Sequence, residues 1–366
     1  MISKTVIGLI AAATLAAGVS APAQAAGAKK QIYLSMSYVG NDWQAEAQNM
    51  TSAMAKYYSD QVDLKIQVAG PVAQKQIQQI NAMVQAGADA IIVYPISPTA
   101  LNPTIKRACD QGVVVFAYDS AVTEPCAYNV VTDQKELAGT SAEWVAKQMG
   151  YKGNLIFVTG VPGTSVDTDR NESAHAVFAK YPDIKIVAEP NGMWSQAVAR
   201  KALTEVMATR SWDDIQGVWG ATACVQSWSM QLEAGHSFIP CGAEGTNGMR
   251  VMMLPKGSIE GSGDYTALGA PGISIESHEA AGAMALKLAL KVLAGDKIDK
   301  LTLMPLNAVT PDAIKLCKSG DWKELADCNT FDPSLVPSGW FDVIYSPELP
   351  EVGFNAALTG QPEPHQ

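Results

Sequence analysis

The sequence has no excess of positive charge. Its 366 residues include 26 Lys and Arg against 36 Asp and Glu, a formal net charge of -10, and no segment forms a basic cluster. Phosphate binding requires concentrated Lys and Arg. Nucleic acid is therefore not an expected partner. A ligand-responsive repressor is disfavoured for the same reason. It would also need a DNA-binding headpiece at the N-terminus, where this sequence has the apolar stretch Val6–Val19 of a predicted signal peptide.

Histidine is also scarce, and motifs for catalysis are missing. The four histidines, His175, His236, His278 and His365, show no metal-ligand spacing. The glycine loop Gly160–Ser165 (GVPGTS) precedes a predicted helix, as anion-binding loops do, but it lacks the lysine of a P-loop and the spacing of a dinucleotide site. An enzyme could use carboxylates such as Asp119, Glu244 and Glu276, yet no nucleophile, metal or cofactor motif accompanies them. We expect no enzymatic activity, no metal and no cofactor.

Beyond residue 25 there is no apolar run near the length of a membrane helix. Residues 1–25 begin with Lys4, continue through the apolar stretch Val6–Val19 and end in Ala23-Gln24-Ala25, a small-x-small cleavage pattern. No cysteine follows at once, which argues against a lipid anchor. We expect a signal peptide over 1–25 and an exported, soluble protein in the periplasm that begins near Ala26.

Six cysteines in an exported chain favour disulfides over metal ligation. Their order suggests three local bridges, although this is only a preference for near neighbours, since six cysteines allow many connectivities. Buried, reduced thiols are the alternative. The pairs expected are Cys109 with Cys126, Cys224 with Cys241, and Cys317 with Cys328.

One stretch, Gly87–Ser120, contains a complete strand, helix and strand. Ala90–Tyr94 and Val113–Tyr118 are continuous apolar runs, typical of strands buried on both faces of a parallel sheet. Pro98–Gln111 fits the helix between them, with Ser97 as its cap. Ligands of open α/β sheets bind at the carboxyl edge, where Asp119 would lie. A plain turn or helix cap is the alternative for this aspartate.

The α/β pattern then starts again after residue 134, which predicts two similar lobes with parallel sheets. Phe238–Cys241 is one further strand prediction, and Glu276–Leu293 a long amphipathic helix that returns to the first lobe. We expect residues 29–133 with 277–303 to form the N-terminal lobe, and residues 134–276 with 304–366 to form the C-terminal lobe and an extension.

Several motifs occur in an order that resembles the type I periplasmic sugar-binding proteins, the ribose-binding family of ABC importers. They are GADAIIVYPIS from Gly87, VVVFAYDS up to Ser120, GVPGTS followed by Arg170, the Trp194 loop, the strand Gly217–Gly220 and the CGAEG turn Cys241–Gly245. The resemblance covers about residues 30–306. It implies two Rossmann-like lobes joined by a hinge, with one small polar ligand held in the cleft between them.

The resemblance also implies a set of ligand-binding residues. They are Asn41, Asp42, Trp43, Asp119, Ser120, Thr168, Arg170, Trp194, Gln196, Thr222, Glu244 and Glu276. Trp43 would offer a flat apolar face to a sugar ring, with packing in the core as its alternative. Arg170 stands two residues beyond the usual ligand arginine, at which Thr168 stands instead, and could simply pair with Asp167 or Asp169.

The expected site is more acidic than a ribose site. Four carboxylates and one candidate cation, Arg170, would meet an anionic ligand with uncompensated like charge. We therefore expect a neutral monosaccharide or sugar alcohol, or an amine-bearing relative, delivered by a monomeric protein to an ABC permease in the inner membrane. The alternative is a ligand-binding module for chemotaxis or autoinducer sensing.

Overall fold

The computed structural model describes Met1 and residues 28–259, 261 and 263–364. The predicted signal peptide, apart from Met1, and its cleavage position lie outside these residues, as does His365. The chain alternates strands and helices from residue 30 onward, as the apolar runs predict.

Residues 30–131 contain five strands and three helices, which alternate as far as the fourth strand. They are β1 (Lys30–Met36), α1 (Asp42–Tyr57), β2 (Val62–Val68), α2 (Ala73–Gln85), β3 (Ala90–Tyr94), α3 (Asn102–Asp110), β4 (Val114–Tyr118) and β5 (Tyr128–Val131).

The pattern then repeats. The elements are α4 (Gln134–Gln148), β6 (Gly153–Val158), α5 (Ser165–Phe178), β7 (Ile184–Ala188), α6 (Gln196–Met207), β8 (Gly217–Gly220), α7 (Ala223–Glu233), β9 (Cys241–Ala243), α8 (Asn247–Met253) and β10 (Gly272–Ile275).

The last part of the chain has shorter elements after one long helix. They are α9 (Ala281–Leu293), β11 (Leu301–Leu303), β12 (Ala308–Val309), β13 (Leu316–Cys317), α10 (Trp322–Leu325), β14 (Thr330–Phe331) and α11 (Phe354–Thr359).

Two six-stranded sheets define two lobes. The first lobe has the strand order β11-β5-β4-β3-β1-β2, and the second has β12-β10-β9-β8-β6-β7. All pairings are parallel except β10 with β12. The chain crosses between the lobes at residues 132–133, 276–280 and 304–307. The predicted α/β fold of two lobes with mostly parallel sheets is confirmed.

Some boundaries differ from the sequence prediction. Helix α3 begins at Asn102, four residues after Pro98, and the Ser97 hydroxyl accepts hydrogen bonds from the N–H groups of Thr99 and Ala100 in the turn that precedes the helix. Strand β9 begins where the predicted strand Phe238–Cys241 ends. The predicted helix Glu276–Leu293 begins only at residue 281, after an extended crossing segment.

All three predicted disulfides form. Cys109 joins Cys126, Cys224 joins Cys241, and Cys317 joins Cys328. The third bridge closes the small parallel pair of β13 and β14 in the C-terminal extension, which here means residues 310–364. The first bridge ties α3 to the loop after β4, and the second ties α7 to β9.

The C-terminal extension packs differently from the sequence assignment, which placed residues 304–366 with the second lobe. Its apolar side chains, including Phe331, Trp340, Phe341 and Ile344, belong to the same core as α1 and α9 of the first lobe. Helix α11 packs on α1. These apolar residues follow no period of a helix or strand, so nothing local indicated the face that they would cover.

Candidate functional site

Asp119 lies at the carboxyl end of β4, as the sheet topology requires. It is 5% exposed, and its backbone adopts a left-handed φ of 56°. Met193, Trp194 and Thr222 share this conformation and lie on the loops of the second lobe. Such backbone costs free energy for a non-glycine residue and persists where the surroundings enforce it, commonly at functional sites. The loops on both sides of the cleft are thus held in strained, fixed positions.

Arg170, on α5 of the second lobe, is the centre of a buried polar cluster. Its Nη1 and Nη2 donate to the two carboxylate oxygens of Glu244, which follows β9, at 2.8 and 3.0 Å. Its Nε donates to Gln134 Oε1 at 2.8 Å, and Nη2 also donates to Ser277 Oγ at 2.9 Å. The bidentate geometry is the strong form of an Arg–carboxylate pair. Arg170 therefore does not pair with the neighbouring aspartates of its own helix.

Gln134 connects this cluster to the first lobe. Its Nε2 donates to Asp119 Oδ1 at 3.2 Å and to Ser277 Oγ at 3.0 Å. Gln134 and Ser277 are buried, and they lie where the first and second crossing segments join the lobes. Neither was predicted from the sequence. Their position next to two crossings was the signal that could have found them, because a cleft site draws residues from the segments that join its lobes.

Burial governs the protonation of Asp119. Loss of hydration is the largest influence and raises the pKa of this carboxyl to about 6. The Glu244 carboxylate also raises the pKa. The Arg170 guanidinium and the hydrogen bonds from Ser277 and Gln134 lower it. Arg170 is already bonded to Glu244. The Asp119 carboxylate is therefore the acceptor in this cluster that lacks a cation of its own.

A cavity of about 230 Å³ lies beside the cluster, between the lobes. Five predicted site residues line it: Asn41, Asp42, Trp194, Gln196 and Thr222. Trp194 also lines the narrow space beside Arg170 and Glu244, so this residue borders both the cavity and the buried cluster. The cavity thus combines amide, hydroxyl and carboxylate groups of the first and second lobes with aromatic side chains.

The two aromatic candidates play different parts. The Arg170 guanidinium lies 5.8 Å from the ring centre of Trp194. The indole of Trp194 packs against Gly160, and a Cβ atom at position 160 would overlap it. Trp43 is 3% exposed, belongs to the core of the first lobe and donates from Nε1 to the Ser277 carbonyl at 3.2 Å. Trp194 therefore lines the cavity, and Trp43 supports a crossing segment from within the core.

Three predicted residues lie elsewhere. Thr168 is exposed on α5 and its hydroxyl donates to the Thr164 carbonyl. Ser120 is fully buried, with its Oγ 3.0 Å from that of Ser165 across the lobes. Glu276 is fully buried on the other side of its crossing segment and pairs with Arg250 at 2.5 Å. These three side chains contact protein groups and do not line the 230 Å³ cavity.

Direct contacts join the lobes at the cleft. Asn41 Nδ2 donates to the Trp194 carbonyl at 3.2 Å, and the Tyr38 hydroxyl donates to the Met193 carbonyl at 3.0 Å. The Ala121 N–H donates to Ser165 Oγ at 2.8 Å. The structure therefore has its lobes in a closed arrangement.

Neither a metal site nor a membrane-spanning helix is found in the described part of the chain. No group of three or more His, Cys, Asp or Glu side chains there could hold a metal ion. None of the helices within residues 28–259 and 263–364 is long and apolar enough to cross a membrane.

A family model described as a periplasmic binding protein domain matches residues 32–297. The curated relatives include a xylitol-binding protein of Mycolicibacterium smegmatis, 32% identical over 33% of this chain and 35% of that protein. A galactofuranose-binding protein of Escherichia coli, YtfQ, is 27% identical over 46% of this chain and 54% of its own length. The chain thus spans about a third to a little over a half of these relatives.

Solved structures agree in fold. An ABC transporter solute-binding protein from Thermobispora bispora superposes with a TM-score of 0.71 at 26% identity, over 92% of this chain and 98% of that one. A galactofuranose-binding protein, at 22% identity, has a TM-score of 0.68 over 77% of this chain and 95% of its own. The family match covers most of the sequence, so this chain belongs to the type I periplasmic sugar-binding proteins, a family of substrate-binding proteins and not of enzymes.

Proposed function

We propose that this protein is exported to the periplasm, captures a neutral monosaccharide or sugar alcohol between its lobes as a monomer, and delivers it to the permease of an ABC importer. The observation that carries the proposal is the polar cluster of Asp119, Gln134, Arg170, Glu244 and Ser277, which draws on both lobes and two crossing segments. A ligand that contacts all of these would favour closure through differential binding.

The charge of the cluster supports a neutral ligand. Glu244 takes up both terminal nitrogens of Arg170, so the cation is compensated within the protein, while Asp119 and Asp42 add negative charge on the side of the first lobe. A sugar acid or sugar phosphate would bring an anion into this partly dehydrated space without a free cation. Hydroxyl groups, in contrast, can donate to Asp119 and to the other carboxylates.

The names of the relatives support the same chemical class. Xylitol and galactofuranose are neutral polyhydroxy compounds, and the proteins named for them are similar to this chain. We propose the residues Asn41, Asp42, Asp119, Arg170, Trp194, Gln196, Thr222 and Glu244 for ligand contact, together with Gln134 and Ser277.

A thermal-shift screen tests the proposal. The panel would contain pentoses, hexoses, tetritols, pentitols and hexitols, with a sugar acid and a sugar phosphate as anionic controls. A ligand at about a thousandfold excess over its dissociation constant adds roughly 4 kcal/mol to the free energy of unfolding, which is a large shift in melting temperature. Stabilisation by an anionic control alone would contradict the proposal.

Delivery requires a separate test in cells. Deletion of the gene should abolish uptake of the radiolabelled compound that stabilises the protein most, and a plasmid copy should restore it. Normal uptake in the deletion strain, with a lost chemotactic or transcriptional response to the same compound, would favour a sensing role instead.

A further inference from the structure

The C-terminal extension reaches the candidate ligand cavity. Gly339 and Phe341 line it together with residues from the loops of both lobes. Gly339 lies against Asp42, and a Cβ atom at position 339 would overlap the Asp42 carboxylate. One wall of the cavity is therefore the bare backbone of the extension, beside a carboxylate of the first lobe.

The segment 338–341, here called the closing turn, is bound to the second lobe. The Gly248 N–H donates to the Ser338 carbonyl at 2.9 Å, and the Asn247 N–H donates to the Trp340 carbonyl at 2.6 Å. The Asn247 side chain makes two further hydrogen bonds. Its Nδ2 donates to the Phe331 carbonyl at 3.0 Å, and its Oδ1 accepts from the Phe331 N–H at 2.8 Å. These contacts fix the extension on the start of α8.

The same turn is bound to the first lobe. The Phe341 N–H donates to Glu46 Oε1, on α1, at 3.1 Å. The side chains of Trp340 and Phe341 are 4% and 1% exposed, and both belong to the core of the first lobe. The closing turn thus contacts both lobes, at a place where the cavity opens between them.

We propose that the closing turn forms one end of the ligand site and clasps the two lobes together, so that it restricts the ligand to a compact, single-ring or open-chain polyol. The proposal builds on the sugar-binding function proposed above. A ligand extended at this end, such as a disaccharide, would overlap the backbone at Gly339 or would have to displace the turn from α8. The adjacent Asp42 carboxylate accepts hydrogen bonds from hydroxyl groups and disfavours an anion.

Gly339→Ala and Gly339→Val test the wall. The φ of Gly339 lies outside the left-handed region, and the atom displaced is the end of an exposed side chain, so the variants should fold with a melting temperature close to that of the wild type. The matched control is Gly353→Ala, whose new methyl group would lie nearest to Trp322 and Glu363 of the extension itself.

Calorimetry with xylitol, D-ribose and D-xylose gives the result. The expected outcome is at least about tenfold weaker binding for Gly339→Val, a smaller loss for Gly339→Ala and wild-type affinity for Gly353→Ala. Wild-type affinity in both Gly339 variants, or tight binding of maltose to the wild type, would refute the proposal that the backbone at Gly339 limits the size of the ligand.

Hydrogen exchange tests the clasp without any ligand. The first N–H groups of a helix have no partner within it, so protection of the Asn247 and Gly248 amides depends on the carbonyls of the closing turn. We expect both amides to exchange as slowly as the middle of α7. If no sugar or polyol binds the wild type while these amides are protected, the proposed function fails and the clasp stands; rapid exchange overturns the clasp whatever the protein binds.

Discussion

Asp119 should make ligand affinity depend on pH, with a midpoint near its own pKa. In the closed structure, burial raises the pKa of this carboxyl to about 6. A sugar hydroxyl that donates to it would stabilise the ionised form and lower the pKa in the complex. Affinity should therefore be nearly complete about one unit above this pKa and fall as the pH decreases through it.

The size of the effect follows from the ionised fraction. One pH unit above the pKa about nine-tenths of the carboxyl is ionised, and one unit below it about one-tenth is. Binding should weaken about tenfold between pH 7 and pH 5, which corresponds to roughly 1.4 kcal/mol. The weakening ends where the pH reaches the lower pKa of the complex.

Titration calorimetry over pH 5 to 8, with the strongest compound of the thermal-shift panel, measures this dependence. Asp119→Asn has the same shape but does not titrate there, and its affinity should be weaker and nearly independent of pH. Asp119→Ala should lose about 2 to 4 kcal/mol of binding free energy, since ligand hydroxyls would be left without partners. A flat profile in the wild type, or affinity that rises in acid, would refute a role of Asp119 as hydrogen-bond acceptor.

Three further outcomes are expected. Replacing both Cys317 and Cys328 with alanine should lower the free energy of unfolding by about 3 kcal/mol, measured by denaturant titration, because the bridge closes a loop with a sequence separation of 11; alkylation of the folded wild type without reductant should label no cysteine. Burial raises the pKa values of Glu46 and Glu279 well above the ordinary value of a glutamate, so above about pH 4.5 these groups bind more protons in the folded protein than in the unfolded chain. The free energy of unfolding should therefore decline as the pH rises above about 4.5. Glu279→Gln should reduce that slope, and an unchanged slope would count against the assignment. Small-angle scattering should show compaction on ligand addition, whereas an equal radius of gyration would oppose hinge closure.

The two strands of the Gly87–Ser120 stretch were predictable because they are apolar runs between turns. Ala90–Tyr94 has the same bounds in the sequence prediction and in the structure, and Val113–Tyr118 was predicted one residue longer than β4. In a parallel sheet both faces are buried, so composition alone indicates such strands. The start of α3 was not predictable in the same way, since Ser97 can serve a turn as well as a helix cap.

The crossing at residues 276–280 shows where prediction of the site ended. Glu276 and Ser277 are adjacent, and in extended backbone successive side chains point to opposite sides. Ser277 bonds Arg170 in the polar cluster, and Glu276 bonds Arg250 under the extension. The sequence favoured the carboxylate because of its chemistry. Which of the two faces the cleft depends on how the crossing is oriented, and this is fixed by packing between distant segments.

The same cluster explains why closure and binding belong together. Gln134 and Ser277 lie at crossing segments, which would have to rotate for the lobes to separate. Both accept hydrogen bonds from Arg170 of the second lobe, and Gln134 also donates to Asp119 of the first lobe. An opening rotation would lengthen these bonds and expose a buried ion pair together with a carboxyl whose pKa burial has raised. Hydroxyl groups of a ligand can supply donors to Asp119 only where that carboxyl and the Arg170–Glu244 pair face the same space, which requires the closed lobes. If the proposed function is correct, selection of a neutral polyol and stabilisation of the closed form would both follow from one arrangement of charges.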